Sequence, residues 1–152
     1  MGDTSGVRVT SRSYKVAANG GTYGSVIPPM NSFQSVTADE ALEILGIRSG
    51  FTASLGLVEL SPNTRNLPSK VRVTIAGERG NTLDSFETTI EPAGGVFIDD
   101  LFKSRNIPQP AAARVLVEAL DQWALVGAYA VITDPSTGDP TYLGANLAPK
   151  PK

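Results

Sequence analysis

The chain has 152 residues, 41% of them apolar and 18% charged, which fits one domain large enough to bury a core of its own. Its 13 basic and 15 acidic residues give a formal net charge of -2 with neither sign in a block, which excludes the clustered basic surface typical of nucleic-acid-binding proteins. Cysteine and histidine are both absent, which excludes disulfides, thiol nucleophiles and the side chain most used for acid–base catalysis near neutral pH.

The beginning of the chain predicts a tail, a strand and a loop. Residues 1–6 lack the apolar region of a signal peptide, and we expect a flexible tail there. Apolar and polar residues alternate in Val7–Tyr14, which predicts a strand. The glycine-rich stretch Asn19–Gly24 has the composition of a phosphate-binding loop, but such a loop leads into a helix and Ile27–Pro29 follows here. We therefore predict a surface crossover at these glycines.

The segment after residue 36 fits two structures. Thr37 and Glu40 have the spacing of a helix capping box. The apolar residues Leu42 and Ile44 fit a short strand equally well. Because the neighbouring segments are rich in strand signals, we favour a turn that feeds a strand through Leu42–Ile47.

Most of the remaining elements are predicted to be strands. Alternation of apolar and polar residues predicts strands at Phe51–Leu60, Lys70–Ala76, Ser85–Ile90, Val96–Ile98, Ala113–Leu120, Ala124–Ile132 and Thr141–Leu143. Gly77–Asn81 is predicted to be a hairpin turn, and Asp99–Ser104 one helical turn with acidic residues at its start. The strand Ala124–Ile132 is apolar on both faces, which is typical of a central strand or of one that faces a partner.

Short strands, frequent turn signals and almost no helix predict one fold class. We expect an all-β, antiparallel β-sandwich of about 7–9 strands over residues 7–145. Parallel α/β folds would need helical patterns between the strands, and the sequence contains none. Residues 146–152, rich in proline and lysine, are expected to form a linker-like tail.

Several segments resemble a known class of modules, in the same order along nearly the whole chain. They are Arg12–Tyr14, Gly21–Gly24 with Ile27-Pro28, Leu45–Val58, and Ala128–Asp134 with Thr137–Pro140. Together they resemble immunoglobulin-like β-sandwich modules of large secreted or cell-surface bacterial proteins. Such modules often have Thr-Asn before the central Leu-Gly-Leu and Asn after it, whereas this chain has Ala53-Ser54 and Glu59. The departure weakens any inference about a shared side-chain role.

The resemblance implies a location and a kind of partner. It implies a secreted or cell-surface, extracytoplasmic protein with a non-catalytic spacer or adhesion role. The expected partners are neighbouring domains of the same protein or other surface proteins. The sequence has no apolar run long enough to span a bilayer, so we expect neither membrane insertion nor nucleic-acid binding.

Two aspartates flank a short turn near the end of the chain and are candidate calcium ligands. Calcium takes about 6–8 oxygen ligands, and the turn that contains Asp134 and Asp139 offers two carboxylates and no Asp-x-Asp spacing. Aspartate side chains that accept hydrogen bonds from nearby backbone N–H groups explain both residues without an ion. We therefore assign no metal and no cofactor to the chain.

The other acidic residues could be imagined as a catalytic carboxylate pair. Candidates are Asp99 and Asp100, together with Asp39, Glu40 and Glu43. Glycoside hydrolysis needs two carboxylates about 5–10 Å apart across a cleft. Adjacent acids at a helix start are better explained by capping. A serine nucleophile would need a lysine base, and no Ser-x-x-Lys occurs in a helical pattern. We predict no catalytic residue and no enzyme activity.

Five aromatic residues could stack on a sugar or anchor a partner: Tyr14, Tyr23, Trp123, Tyr129 and Tyr142. Trp123 and Tyr129 are expected in the core or at its rim, because aromatic residues favour strands and buried positions. Tyr23 is expected to be exposed. Three functions remain open: a structural or interaction module, which we favour, a carbohydrate- or protein-binding module, and a surface subunit that self-assembles by strand addition through Ala124–Ile132 and the extended N-terminal strand.

Overall fold

A computed structural model describes residues 11–16, 20, 22–28, 35–60 and 66–150, and for residues 11–16 and 22–25 it describes the backbone. The strands are β1 (Ser11–Val16), β2 (Thr22–Ile27), β3 (Ser35–Val36), β4 (Glu40–Arg48), β5 (Thr52–Glu59), β6 (Ser69–Gly77), β7 (Thr82–Ile90), β8 (Gly95–Ile98), β9 (Ala112–Ala119), β10 (Val126–Thr133), β11 (Pro140–Gly144) and β12 (Asn146–Pro149). Helix α1 (Leu101–Ser104) lies between β8 and β9, and no described helix has the length and hydropathy to cross a membrane.

The strands form two antiparallel five-stranded sheets and a hairpin. In the first, which we call the tyrosine sheet, the order is β11-β10-β5-β8, and β3 also pairs with β10. In the second, which we call the arginine sheet, the order is β12-β4-β9-β6-β7. The hairpin of β1 and β2 contacts β11. The predicted all-β antiparallel sandwich is confirmed, with more strands than expected because β2, β3 and β12 were not predicted.

The core lies between the two sheets and follows from the alternation of side chains along each strand. Every second residue of β5, β6 and β9 faces inward, and those residues are almost all aliphatic and fully buried. The largest fully buried side chains of the whole core are Leu42, Ile44, Ile47, Leu55, Leu57, Ile75, Ile90, Leu101, Val36, Val71, Val73 and Val115. Each such side chain contributes about 1.5–3 kcal/mol by leaving water, which makes this layer the main source of stability.

The ambiguous segment is strand β4, as predicted, and it contains a β-bulge. Leu45 and Gly46 interrupt the register between Ile44 and Ile47. Gly46 has φ +90°, a backbone conformation that other residues rarely adopt. The bulge lets both isoleucines reach the core while it turns Leu45 outward, where the side chain is 52% exposed.

The glycine-rich segment near the start of the chain differs from its prediction. The glycine-rich stretch was predicted to be a surface crossover, but β2 pairs with β1, with Tyr14 opposite Gly24. Glycine has no side chain but keeps its backbone N–H and C=O groups. It can therefore still pair with a neighbouring strand through backbone hydrogen bonds. The tail 1–6 and the first four residues of the predicted strand Val7–Tyr14 lie outside the described residues.

The C-terminal residues form a strand where a linker-like tail over 146–152 was predicted. β12 pairs with β4, with Leu147 opposite Leu42, and Pro149 sits at the sheet edge where its missing N–H is tolerated. Nζ of Lys150 donates a hydrogen bond of 2.8 Å to the carbonyl of Ala38. These contacts attach the segment to the arginine sheet as far as residue 150, and residues 151–152 lie outside the description.

An ion pair ties the segment after α1 to β7. Nε of Arg105 donates to Oδ2 of Asp84 at 2.6 Å, and the guanidinium lies 4.2 Å from the ring centre of Phe86. The hydrogen bond from Arg105 is the main reason that the pKa of Asp84 lies below its ordinary value of 3.8. The pair therefore adds stability that is fully present above pH 3.8 and is lost as the pH falls through the lowered pKa.

We expect Arg105→Gln to raise the pKa of Asp84 and to reduce the loss of stability in acid. Because the pair is partly exposed, its net contribution at neutral pH is about 0.5 kcal/mol. NMR titration of the Asp84 carboxyl and urea unfolding at neutral and acid pH measure both quantities. Arg72→Gln is the matched control, since its ion pair involves Glu87. An Asp84 pKa that is the same in Arg105→Gln and in the wild type would contradict this assignment.

Candidate functional site

The acidic residues proposed as a carboxylate pair are divided between the two sheets. Asp99 accepts a hydrogen bond of 2.9 Å from Oγ of Ser54 in β5, and Asp100 caps α1 by accepting from the N–H of Lys103 at 3.4 Å. Asp100 therefore caps the start of the helix, as predicted. Asp99 instead accepts its hydrogen bond from a residue of strand β5. Glu43 lies in the arginine sheet.

Asp39 and Glu40 lie at the entry of β4, where the N–H of Glu40 donates to the carbonyl of Thr37 at 3.3 Å. This hydrogen bond closes a turn that leads into β4. Thr37 and Glu40 therefore have the spacing of a capping box without starting a helix. Both residues are separated in the fold from Asp99 and Asp100, which follow β8 in the other sheet. The residues of the imagined carboxylate pair therefore come from elements of different sheets.

The turn before β11 is built by Asp134. Its Oδ1 accepts hydrogen bonds from N and Oγ of Ser136, at 2.8 and 2.6 Å. These bonds, above all that from the hydroxyl, hold the pKa of Asp134 below its ordinary value. The predicted aspartate turn is confirmed for Asp134, while Asp139 takes part through its backbone, which accepts from the N–H of Asp134 at 3.1 Å. Across the described ranges, no group of three or more acidic side chains is placed to hold a metal.

The aromatic residues lie in different environments. Trp123 is 42% exposed, and its Nε1 donates to the carbonyl of Pro68 at 3.3 Å, so it lies outside the buried core. Tyr129 and Tyr142 are half-buried on the outer surface of the tyrosine sheet. The side chains of Tyr14 and Tyr23 lie outside the description.

The outer surface of the tyrosine sheet has an aromatic cluster that extends across its strands from β8 to β11. Phe97 and Tyr129 stand opposite Gly56 on its two sides, so all three point to the same face. A Cβ on Gly56 would overlap the ring of Tyr129, which means that the ring covers the glycine backbone. The Tyr129 and Tyr142 rings stack with centres 5.8 Å apart and planes inclined by 23°, and burial raises the pKa of both phenols.

This outer surface carries no charged side chain at the paired positions that the structure describes, although the carboxylate of Asp99, directly after β8, accepts a hydrogen bond of 2.9 Å from its Ser54. We call it the tyrosine face, and the pairing register assigns to it Ser35, Thr52, Ser54, Gly56, Val58, Gly95, Phe97, Gly127, Tyr129, Val131, Thr133, Pro140, Tyr142 and Gly144. Phe97 is its most exposed large residue, at 59%. The sequence alone could suggest that Phe97 points outward from its strand. That Gly56 lies between the Phe97 and Tyr129 rings can be known only from the pairing register of the strands.

The outer surface of the arginine sheet is charged, in contrast. Arg72 pairs with Glu87 at 2.9 Å, and Arg114 with Glu43 at 2.9 Å. Glu118, opposite Arg72 in the neighbouring strand, is buried and lies 3.9 Å from Nζ of Lys150. Alternating charges of this kind are typical of a surface that faces water. The two outer surfaces of the sandwich therefore differ in chemistry.

Comparison of the chain with protein families, with curated proteins and with solved structures gives no match. The resemblance to immunoglobulin-like bacterial modules therefore stays a prediction. What the chain does must be inferred from the two outer surfaces and the residues on them.

Proposed function

We propose that the chain is a non-catalytic structural and interaction module of a secreted or cell-surface bacterial protein, with an immunoglobulin-like sandwich that docks onto a folded protein through the tyrosine face. The observation that carries this proposal is the aromatic, charge-poor composition of that face, where Asp99 on Ser54 is a carboxylate at the border of uncharged paired positions, beside the ion-paired surface of the other sheet. The partner surface belongs either to a neighbouring domain of the same protein or to another surface protein.

The chemistry of the tyrosine face supports docking. The buried centre of a protein interface is depleted of charge and enriched in aromatic residues. Phe97, at 59% exposure, would gain by leaving water on association, as would the half-buried Val58 and Val131 beside the glycine-lined centre. A solvated face would instead carry charges like those on the arginine sheet.

A protein partner fits the face better than a sugar. Stacking on a sugar needs accessible ring faces, and the Tyr129 and Tyr142 rings are half-buried and stacked on each other. Strand addition through Ala124–Ile132 is not supported either, because β10 pairs with β5 on one side and with β3 and β11 on the other.

We expect a photo-cross-linker at position 97 to label a protein in the cells that produce this chain. Replacement of Phe97 by p-benzoylphenylalanine places the reactive ketone on the edge strand β8, at the most exposed aromatic position of the face. On a denaturing gel, a band of unchanged mass that contains a cross-linked peptide pair identifies a neighbouring domain of the same protein. A band of higher mass identifies another protein. Leu147, exposed at the edge of the arginine sheet, is the control position. The proposal fails if position 97 gives no protein adduct, or the same adducts in the same yield as position 147.

A further inference from the structure

A groove opens on the arginine sheet, away from the tyrosine face. It lies where the end of β4 (residues 45–48), the β6–β7 turn (residues 77–80) and the start of β9 (residues 112–114) meet, and its volume is about 620 Å³. This volume falls in the range of about 300–1,000 Å³ that is common for ligand sites. The turn is tight, with the N–H of Gly77 donating to the carbonyl of Asn81 at 2.9 Å and Gly80 at φ +80°.

The groove concentrates positive charge in a protein whose net charge is -2. Arg48, Arg79 and Arg114 line it, against the acidic lining residue Glu78 and the carboxylate of Glu43, which is ion-paired with Arg114. A guanidinium carries five N–H donors and matches a carboxylate with two parallel hydrogen bonds. Three arginines from three separate elements therefore form a site that favours carboxylates.

Two of these guanidinium groups are held in place before any ligand arrives. Nη1 of Arg114 donates to Glu43 at 2.9 Å, which leaves its other N–H groups available. The guanidinium of Arg48 lies 4.6 Å from the ring centre of Phe51. Because these contacts restrict the two side chains, a ligand would lose less conformational entropy in binding them.

The rest of the lining is aliphatic. The bulge in β4 turns Leu45 outward at the groove, and Ala112 and Ala113 lie beside it. An acidic sugar would favour an aromatic platform, whereas an aliphatic wall fits the side chain of a leucine or valine. The small area and the net negative charge of the chain also disfavour a nucleic acid.

We propose that this groove binds an acidic peptide segment of a partner protein, with its carboxylates on Arg48, Arg79 and Arg114 and an aliphatic side chain against Leu45. The site is on the opposite sheet from the tyrosine face, so it goes beyond the docking proposed above. Either proposal can fail without the other.

The first test uses a defined probe. A fluorescein-labelled, C-terminally amidated Glu-Leu-Glu-Leu-Glu peptide should raise the fluorescence anisotropy when the chain is titrated into it, and added salt should weaken the binding. The Gln-Leu-Gln-Leu-Gln counterpart should bind with an affinity at least about tenfold lower. Absence of acidic-peptide binding at about 1 mM protein, equal binding of both peptides, or equally strong competition by polygalacturonate at matched carboxylate concentration would overturn the proposal.

The second test uses variants of the exposed turn, where substitution leaves the core intact. Arg79→Gln should weaken acidic-peptide binding about tenfold. Glu78→Gln should strengthen it about threefold, because it removes a like charge from the groove. The matched control is Arg72→Gln, which lies outside the groove and should change the affinity less than twofold. Equal weakening by Arg72→Gln and Arg79→Gln would show a general charge effect and overturn the site.

Discussion

Replacement of Phe102 by alanine should lower the free energy of unfolding by about 4 kcal/mol. Phe102 is 3% exposed and belongs to α1, which contacts β5 and brings Leu101 into the core beside it. A ring deleted from this position leaves a cavity that a four-residue helix, held by its Asp100 cap, can fill only in part. Urea unfolding monitored by far-UV circular dichroism measures the change.

The neighbouring residue provides the control for this substitution. Lys103 lies on the same turn with its side chain exposed, so Lys103→Ala should change stability by no more than about 0.5 kcal/mol. A loss of less than about 1 kcal/mol in Phe102→Ala would contradict a core that extends under α1.

Replacement of Gly56 by alanine should cost about 2 kcal/mol, although alanine ordinarily stabilises a strand relative to glycine. The new methyl group overlaps the Tyr129 ring, and the ring can move aside only by losing its stacking on Tyr142. The cost therefore comes from the ring and not from the backbone of β5. Gly56→Ala should also change the near-UV circular dichroism of the stacked tyrosines.

A double-mutant cycle separates the two sources of this cost. In a Tyr129→Ala background the overlap is gone, and Gly56→Ala should be neutral or stabilising by up to about 1 kcal/mol. Gly144→Ala is a second control, because a Cβ there would lie 3.4 Å from Cε1 of Tyr142, which needs at most a small adjustment. Equal costs for Gly56→Ala in both backgrounds would contradict the predicted overlap.

The sequence predicted the strands of the core well, because burial of one face imposes a period of two. Val71, Val73 and Ile75 alternate with polar residues, and β6 confirms that assignment. The same rule could not find β2 and β12, where glycines or prolines weaken the pattern and pairing with another strand supplies the stability. The stability that β2 and β12 gain from pairing with other strands depends on tertiary structure, so the local sequence does not reveal it.

The two surfaces could be predicted less well, because each depends on contacts between distant segments. Gly56, Phe97 and Tyr129 lie on three strands, and only their register places the glycine between the two rings. The arginines of the groove likewise come from β4, a turn and β9. The aspartate turn at Asp134 was predictable because all of its hydrogen bonds are local.

Together these features describe a sandwich with two chemically distinct sides. The tyrosine face is uncharged at its described paired positions, with Phe97 exposed on its edge strand β8 and Asp99 bonded to Ser54, and we propose that it docks onto a protein. The arginine sheet carries ion pairs and a groove suited to carboxylates. A module of this kind can hold one partner firmly on one side and bind an acidic segment on the other.

Hydroxyl-radical footprinting tests the docking assignment most directly. The measurement compares side-chain oxidation in the purified chain with oxidation in the cells that produce it. Docking through the tyrosine face predicts that Phe97 is protected several-fold in cells, while Trp123, exposed beside Pro68 just before β6 of the arginine sheet, reacts equally in both settings. Equal oxidation of Phe97 in both settings would contradict the assignment of this face to docking.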